Sequence, residues 1–199
     1  MNQKILPYIP FLVSSLLLFL DCRSALPRYE VQVTVGKVGI SQPGKDKYIV
    51  FPFDMAEGLQ LKQAVENRRK IIEDRNREKA EMALVKTGLT VLERSRVDKL
   101  VNEMTFSKTG LAESDGLNIG KLLNANYALF GKITHYNVAK KAVRAHFIAE
   151  VIVKAVDIES GVIAWEAILK GHSIFNNGEQ TLLDVENTLY DRLSKKLKN

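Results

Sequence analysis

The side chains with the most reactive chemistry to offer are few. There is one cysteine, Cys22, and there are three histidines, His135, His146 and His172, in 199 residues. A zinc site needs three or four His, Cys, Asp or Glu ligands brought together, most recognisably as two histidines four apart on one helix with a glutamate beside the first. These histidines fall instead on separate predicted strands or strand edges, so no metal is expected. Gly116, Gly120 and Lys121 superficially match a phosphate loop, which places four residues between its glycines and Ser or Thr after the lysine. Here the glycines are one residue too close, and Leu122 stands where the hydroxyl would hold magnesium. No G-x-S-x-G nucleophile turn is present. The chain is therefore expected to be no enzyme and to carry no cofactor.

Cys22 has a different chemistry. It closes a segment with a positive start at Lys4 and an apolar run from Ile5 to Leu20, interrupted by two serines and two prolines. Sixteen helical residues would span only about 24 Å, short of a hydrocarbon core of roughly 30 Å, and Pro7 and Pro10 disfavour a continuous helix. Residues 1–21 thus read as an export signal that is cleaved. A lone thiol has no intramolecular partner. Its place resembles the lipidated first residue of a bacterial lipoprotein, although Leu18-Phe19-Leu20-Asp21 departs from the usual small-residue sequence. Two other fates stay open: ordinary cleavage leaving a free thiol, and an uncleaved anchor. By resemblance to sorting signals, Arg23 after the cysteine favours the outer membrane.

The elements beyond this segment belong to one domain. The chain carries 29 basic and 23 acidic side chains, and a net charge of +6 survives signal removal because Lys4 and Asp21 leave together (28 minus 22). So small an excess names no partner. Its centre runs from Leu89 to Tyr136 in the order strand, helix, helix, strand. Ser95 and Asp98 read as an N-terminal cap, with Val97, Leu100, Val101 and Met104 on one apolar face. The second helix, Asp115 to Leu123, is expected to bury Ile119, Leu122 and Leu123 and to stop at Asn124 or Asn126, residues that tolerate the left-handed conformation.

The stretches VLERSRVDKLVNEM and IGKLLNANYALFGKIT within this unit resemble the curli production assembly and transport (CsgG-type) family and its relatives, the LpoB-type lipoprotein activators of penicillin-binding proteins. The resemblance covers roughly residues 47–197 and implies a non-enzymatic, outer-membrane-anchored periplasmic domain. It implies two activities as well: activation of a penicillin-binding protein, or less readily a secretion channel. Channel members donate two membrane-spanning hairpins, whose strands need about 9 to 11 residues each. Asn137 to Arg144 and His172 to Gly178 are too short to hold them.

The remaining elements are plain. Residues 29–40 alternate as a strand, Lys47 to Asp54 as another, with Tyr48 and Val50 on one side and Ile49, Phe51 and Phe53 on the other. Pro52 belongs near an edge or strand end. Leu59 to Lys86 reads as one long helix whose apolar stripe includes Ile71 and Ile72, and whose charged segment Glu73 to Lys79 is a solvated face with i, i+4 ion pairs, the alternative being a projecting docking helix. Its mixed signs exclude a nucleic-acid footprint. Two long strands follow, with Phe147, Ala149, Val151, Val153 and Ala155 inward in one and Ile163, Trp165, Ala167 and Leu169 in the other, joined by a turn at Glu159 to Gly161. The basic connection before them, with Lys140, Lys141 and Arg144, is a candidate contact for lipid headgroups or wall polymer. The last predicted element is a helix from Glu179 to Lys198 with Leu182, Leu183, Leu189, Leu193 and Leu197 inward.

The whole predicts an α/β fold, a single two- or three-layer domain with a mixed sheet, an antiparallel C-terminal hairpin and packed helices. Residues 1–21 are the signal, 22–46 the lipidated N-terminus with a short tether and extra strand, and 47–199 the family-like domain. The short tether, about 90 Å at most even counted to Lys47, favours a non-enzymatic scaffold for envelope assembly or secretion close to the outer membrane over an activator that must cross the periplasm. The expected partners are the outer membrane, through the lipid, and a second copy or a periplasmic protein, with no nucleic acid.

Overall fold

The apolar alternation of the C-terminal half closes into one mixed sheet, and the rest of the chain is packed against it. A computed structural model describes residues 28–36, 44–59, 66–103, 112–141, 144–175 and 178–198. The strands are β1 (Arg28–Val35), β2 (Lys47–Val50), β3 (Asp54–Met55), β4 (Thr90–Val91), β5 (Tyr127–Lys141), β6 (Arg144–Asp157) and β7 (Ile163–Phe175). The helices are α1 (Arg69–Lys86), α2 (Arg94–Glu103), α3 (Glu113–Leu122) and α4 (Gly178–Lys198). The strand order is β1-β7-β6-β5-β2-β4, with β3 also on β5. Pairing is antiparallel from β1 through β5 and parallel from β5 to β2 and β4, which makes the sheet mixed.

Alternation along the strands builds two cores of unequal size. The larger lies beneath α1 and α4 and takes Tyr48, Val50, Leu129, Val151, Val153, Trp165, Leu169 and Leu189. The smaller takes Ile49, Phe51, Val97, Ile119, Ala128 and Ile158 beneath α2 and α3. The molecule has three layers at the β2 end. Over β6, β7 and β1 it has two, since no helix among the described residues covers the second face. The long α4 packs on β7 and β1, as its leucine spacing predicts, burying Leu189, Leu193 and Leu197.

Several expectations change for local reasons. Val50 lies opposite Leu129 but Asp54 lies opposite Lys132, so four steps on one strand match three on the other. The extra residue falls at Phe51-Pro52-Phe53, where a proline has no ladder donor to lose. This bulge turns Phe53 to the Tyr48 and Val50 side, not to that of Ile49 and Phe51. Asn137 to Lys141 continues β5 and pairs with the start of β6, so it is strand and not connection. The second helix leaves Leu122 71% exposed and stops as expected at Asn124, whose φ is 54°. Ser95 is not the cap: α2 opens at Arg94, and the Ser95 hydroxyl donates to Glu93 at 2.8 Å.

The largest correction concerns α1. The predicted helix over Leu59 to Lys86 is described only from Glu66, with a turn before Arg69, and residues 60–65 lie outside the described residues. Ile71, placed in the apolar stripe, is 61% exposed. The stretch read as a solvated face instead carries two fully buried polar residues, Asn76 and Arg77. Arg77 donates Nε and Nη2 to the Val50 carbonyl at 3.0 and 2.7 Å and Nη1 to Asp98 at 2.6 Å. It therefore ties α1 to the end of β2 and to α2, across the two layers.

Candidate functional site

Residues facing away from the core on β5, β6, β7 and β1 form an open surface built in rows. The register sets Asn137, Ile148, His172 and Arg28 across four strands in one row. The next holds His135, Glu150, Lys170 and Glu30, and a third holds Lys132, Ile152, Ile168 and Gln32. Each row mixes polar or charged residues with at most two isoleucines, as the uncovered face of a sheet packed on one side allows. A depression of about 500 Å³ opens on the first two rows, lined by Glu30, His135, Ile148, Glu150, Lys170 and His172.

Glu150 is the electrostatic centre of that depression. It accepts a hydrogen bond from Thr134 Oγ1 at 2.9 Å, pairs with Lys170 Nζ at 3.1 Å and lies 3.8 Å from His135 Nδ1. Partial burial opposes its charge, but the bonds from Lys170 and Thr134 outweigh this and hold its carboxyl below the usual glutamate range. An ionised, paired carboxylate is a poor general acid. No group of three His, Cys, Asp or Glu that could hold a metal occurs among the described residues.

A second polar cluster is sealed inside. Tyr136 on β5 donates to Glu186 on α4 at 3.0 Å, and Arg75 on α1 donates to both, at 2.8 Å each. Arg75 Nε also lies 2.6 Å from the second Glu186 oxygen, as an ion contact without hydrogen-bond alignment. Beside it Tyr190 donates to Asn76 at 3.0 Å. Burial first, then the neighbouring carboxylate, pushes the Tyr136 and Tyr190 phenols upward. These groups join α1, α4 and β5, with Arg75 21% exposed at the edge of the cluster.

The glycines that matched a phosphate loop in part are packing residues. A Cβ at Gly116 would lie 2.8 Å from the Phe130 ring, and one at Gly120 would lie 2.5 Å from Ile158. Their spacing puts both on the face of α3 that rests on the sheet.

Of the residues singled out from the sequence, Cys22 lies outside the described residues. Lys140 and Lys141 close β5, Arg144 opens β6, and Lys141 pairs with Arg144. They lie at the end of the sheet where Arg28 begins β1 and His172 ends its pairing with it. The histidines, expected on separate strands, are so placed, but the register gathers them toward this end, with His146 opposite Ala139 and Ile174. Sequence reasoning missed the Glu150–Lys170 pair and the depression. The one available signal was the non-core alternation of Ile148, Glu150, Ile152 and Lys154.

No family model matches this chain, and no curated protein does. Among solved structures, the PelC dodecamer from Paraburkholderia phytofirmans matches with a TM-score of 0.56 at 14% identity, covering 86% of this chain and 98% of that one. Lipoprotein GNA1162 from Neisseria meningitidis matches at 0.53 and 14%, covering 76% and 97%. The LpoB C-terminal domain from Salmonella enterica is more distant, at 0.36 and 12% identity, covering 70% and 88%. The first two share the fold of this chain along nearly their whole length. None of the three is a curli-assembly protein by its description.

Proposed function

We propose that this chain is a lipoprotein of the bacterial cell envelope, anchored through Cys22 in the outer membrane, facing the periplasm, and acting as a non-enzymatic assembly or secretion scaffold. The observation that carries this reading is the fold shared with a lipoprotein over 97% of that protein's chain, in a sequence whose only cysteine follows a segment that reads as an export signal. The partner is a second copy of the chain or a periplasmic protein. Self-association draws support from the likeness to a dodecamer.

Anchoring is tested by fractionation: Cys22→Ala should release the mature protein into the soluble periplasm, and unchanged membrane association would sink the claim. Bacterial lipoprotein processing supplies more than one acyl chain, which durable anchoring requires. The scaffold role is tested by crosslinking in intact cells followed by mass spectrometry. Self-adducts or envelope proteins support it, whereas penicillin-binding proteins as the dominant adducts would establish an activator instead. Stable single-channel currents from the lipid-inserted protein would overturn it in favour of a pore.

A further inference from the structure

The strand register decides which end of the domain lies next to its anchor. Arg28 pairs with His172, His172 with Ile148, and Ile148 with Asn137, so one row crosses β1, β7, β6 and β5. Beyond that row β7 runs on to Phe175, β6 begins at Arg144 and β5 ends at Lys141. Five residues separate Cys22 from Arg28, and an extended chain over those six steps reaches about 20 Å. The Glu159 to Gly161 turn lies at the far end of β6, roughly 45 Å away for a strand of that length.

Charge is distributed along the same axis. From Asn137 to Lys141, from Arg144 to Ile148 and from Gly171 to Phe175 there is no acidic residue, while Lys140, Lys141, Arg144, His146 and His172 all fall in these stretches. Arg28 joins them on β1, and Arg23 lies in the short tether. The first acids, Glu30 and Glu150, are one row further in, and Glu150 is paired with Lys170. Asp157, Glu159 and Glu166 occupy the opposite end.

Given the lipoprotein reading above, on which this rests, we infer that the Arg28, Lys140, Lys141 and Arg144 end is a lipid-headgroup surface. It seats the domain against the anionic phospholipid of the membrane that holds the anchor. Two facts select this occupant: the chain leading to Cys22 leaves the fold here, and the strand segments at this end carry cations and no acid, the one acid next in the chain being Glu179 at the start of α4. A juxtamembrane cation gains about five-fold in partitioning onto an anionic surface, so three together give about a hundred-fold, an effect confined to roughly 10 Å of that surface.

The test uses the mature chain from residue 22 carrying Cys22→Ser, which has no lipid and must bind through its surface alone. It is floated with phosphatidylcholine vesicles, with or without about 30% phosphatidylglycerol, a composition that supplies the anionic surface. Flotation with the anionic vesicles only, abolished by high salt, is expected. Lys140→Gln/Lys141→Gln/Arg144→Gln should weaken it about a hundred-fold, while Lys195→Gln/Lys196→Gln/Lys198→Gln, which removes the same charge from the end of α4, should leave it nearly unchanged. Absence of flotation, equal flotation with neutral vesicles, or equal weakening by the two triple variants would overturn the inference. If the first variant fails to fold by its thermal melt, the unaltered chain's salt dependence and the α4 variant still decide. The mass of the native N-terminus, with or without diacylglycerol on Cys22, tests the lipoprotein reading separately.

Discussion

Arg77 sits in the middle of the most polar stretch of the chain and is 1% exposed. Only a guanidinium presents enough donors, in a fixed plane, to hold the Val50 carbonyl twice and Asp98 at once. Arg77→Ala leaves a buried carbonyl unpaired and Asp98 with Arg94 as its remaining partner, at 3.3 Å. Because Asp98 remains partly hydrated, the expected cost is about 2 to 4 kcal/mol, below the full value for a wholly buried pair. Arg77→Lys should recover less than half of it, and urea unfolding of the three proteins gives the comparison. The tyrosines supply a pH prediction. Burial pushes Tyr127 up to about 12, and Tyr136 and Tyr190 move in the same direction. An unfolded phenol titrates near 10, so the folded state holds the proton more tightly, and this contribution is complete below about pH 10. It is lost as pH rises from about 10 through 12, so the urea midpoint should fall across that window. Tyr127→Phe should flatten the fall; an unchanged slope would contradict the assignment.

At the scale of elements, the bulge at Pro52 sets what β2 and β3 can bury. It places the Phe53 ring over Gly131, where an added Cβ would lie 2.2 Å from ring carbons that are themselves held in the core. Gly131→Ala should therefore cost about 2 to 3 kcal/mol by overpacking. Phe53→Ala alone should cost about 3 to 5 kcal/mol through its cavity. In the Phe53→Ala background the alanine at 131 meets no ring, so its added cost should fall below about 1 kcal/mol, a coupling that a double-mutant cycle in guanidinium measures. Simple additivity would show that the ring and the glycine do not meet as described.

At the scale of the whole molecule, β1 is the element that closes the sheet on its exposed side. It pairs with β7 from Arg28 to Val35, and Val31 and Val33 pack against the main core beneath α4. Arg192 of α4 donates to the Tyr29 carbonyl at 2.6 Å and lies over the Tyr29 ring at 5.2 Å. A mature chain shortened to begin at Lys47 should lose several kcal/mol and expose the whole β7 edge, which invites strand pairing between copies. Light scattering of the shortened chain against the mature one checks this; a monodisperse, equally stable product would make β1 dispensable.

Elements with a strong local period were legible without coordinates. The α4 leucines, the paired β6 and β7 faces, the strand-helix-helix-strand centre and the stop at Asn124 all follow from side chains that repeat at the helical or strand interval, or from one residue that accepts a positive φ. Ile163 is the exception on β7: expected inward, it is 41% exposed, where the register between β6 and β7 shifts at Ala155 and Val156. What escaped had its cause in residues distant along the chain. Arg77 is buried because Val50 and Asp98 meet it from two other elements; alone, its neighbourhood reads as solvated. Phe53 faces the main core because a bulge shifts its parity, and parity is invisible where one extra residue is absorbed between strands 78 or 79 positions apart. Local pattern was thus enough for the α/β class and the order of its elements. That β1 begins, at Arg28, at the same end of the sheet as Lys140, Lys141 and Arg144 follows from strand register alone, which pairs residues far apart in the chain.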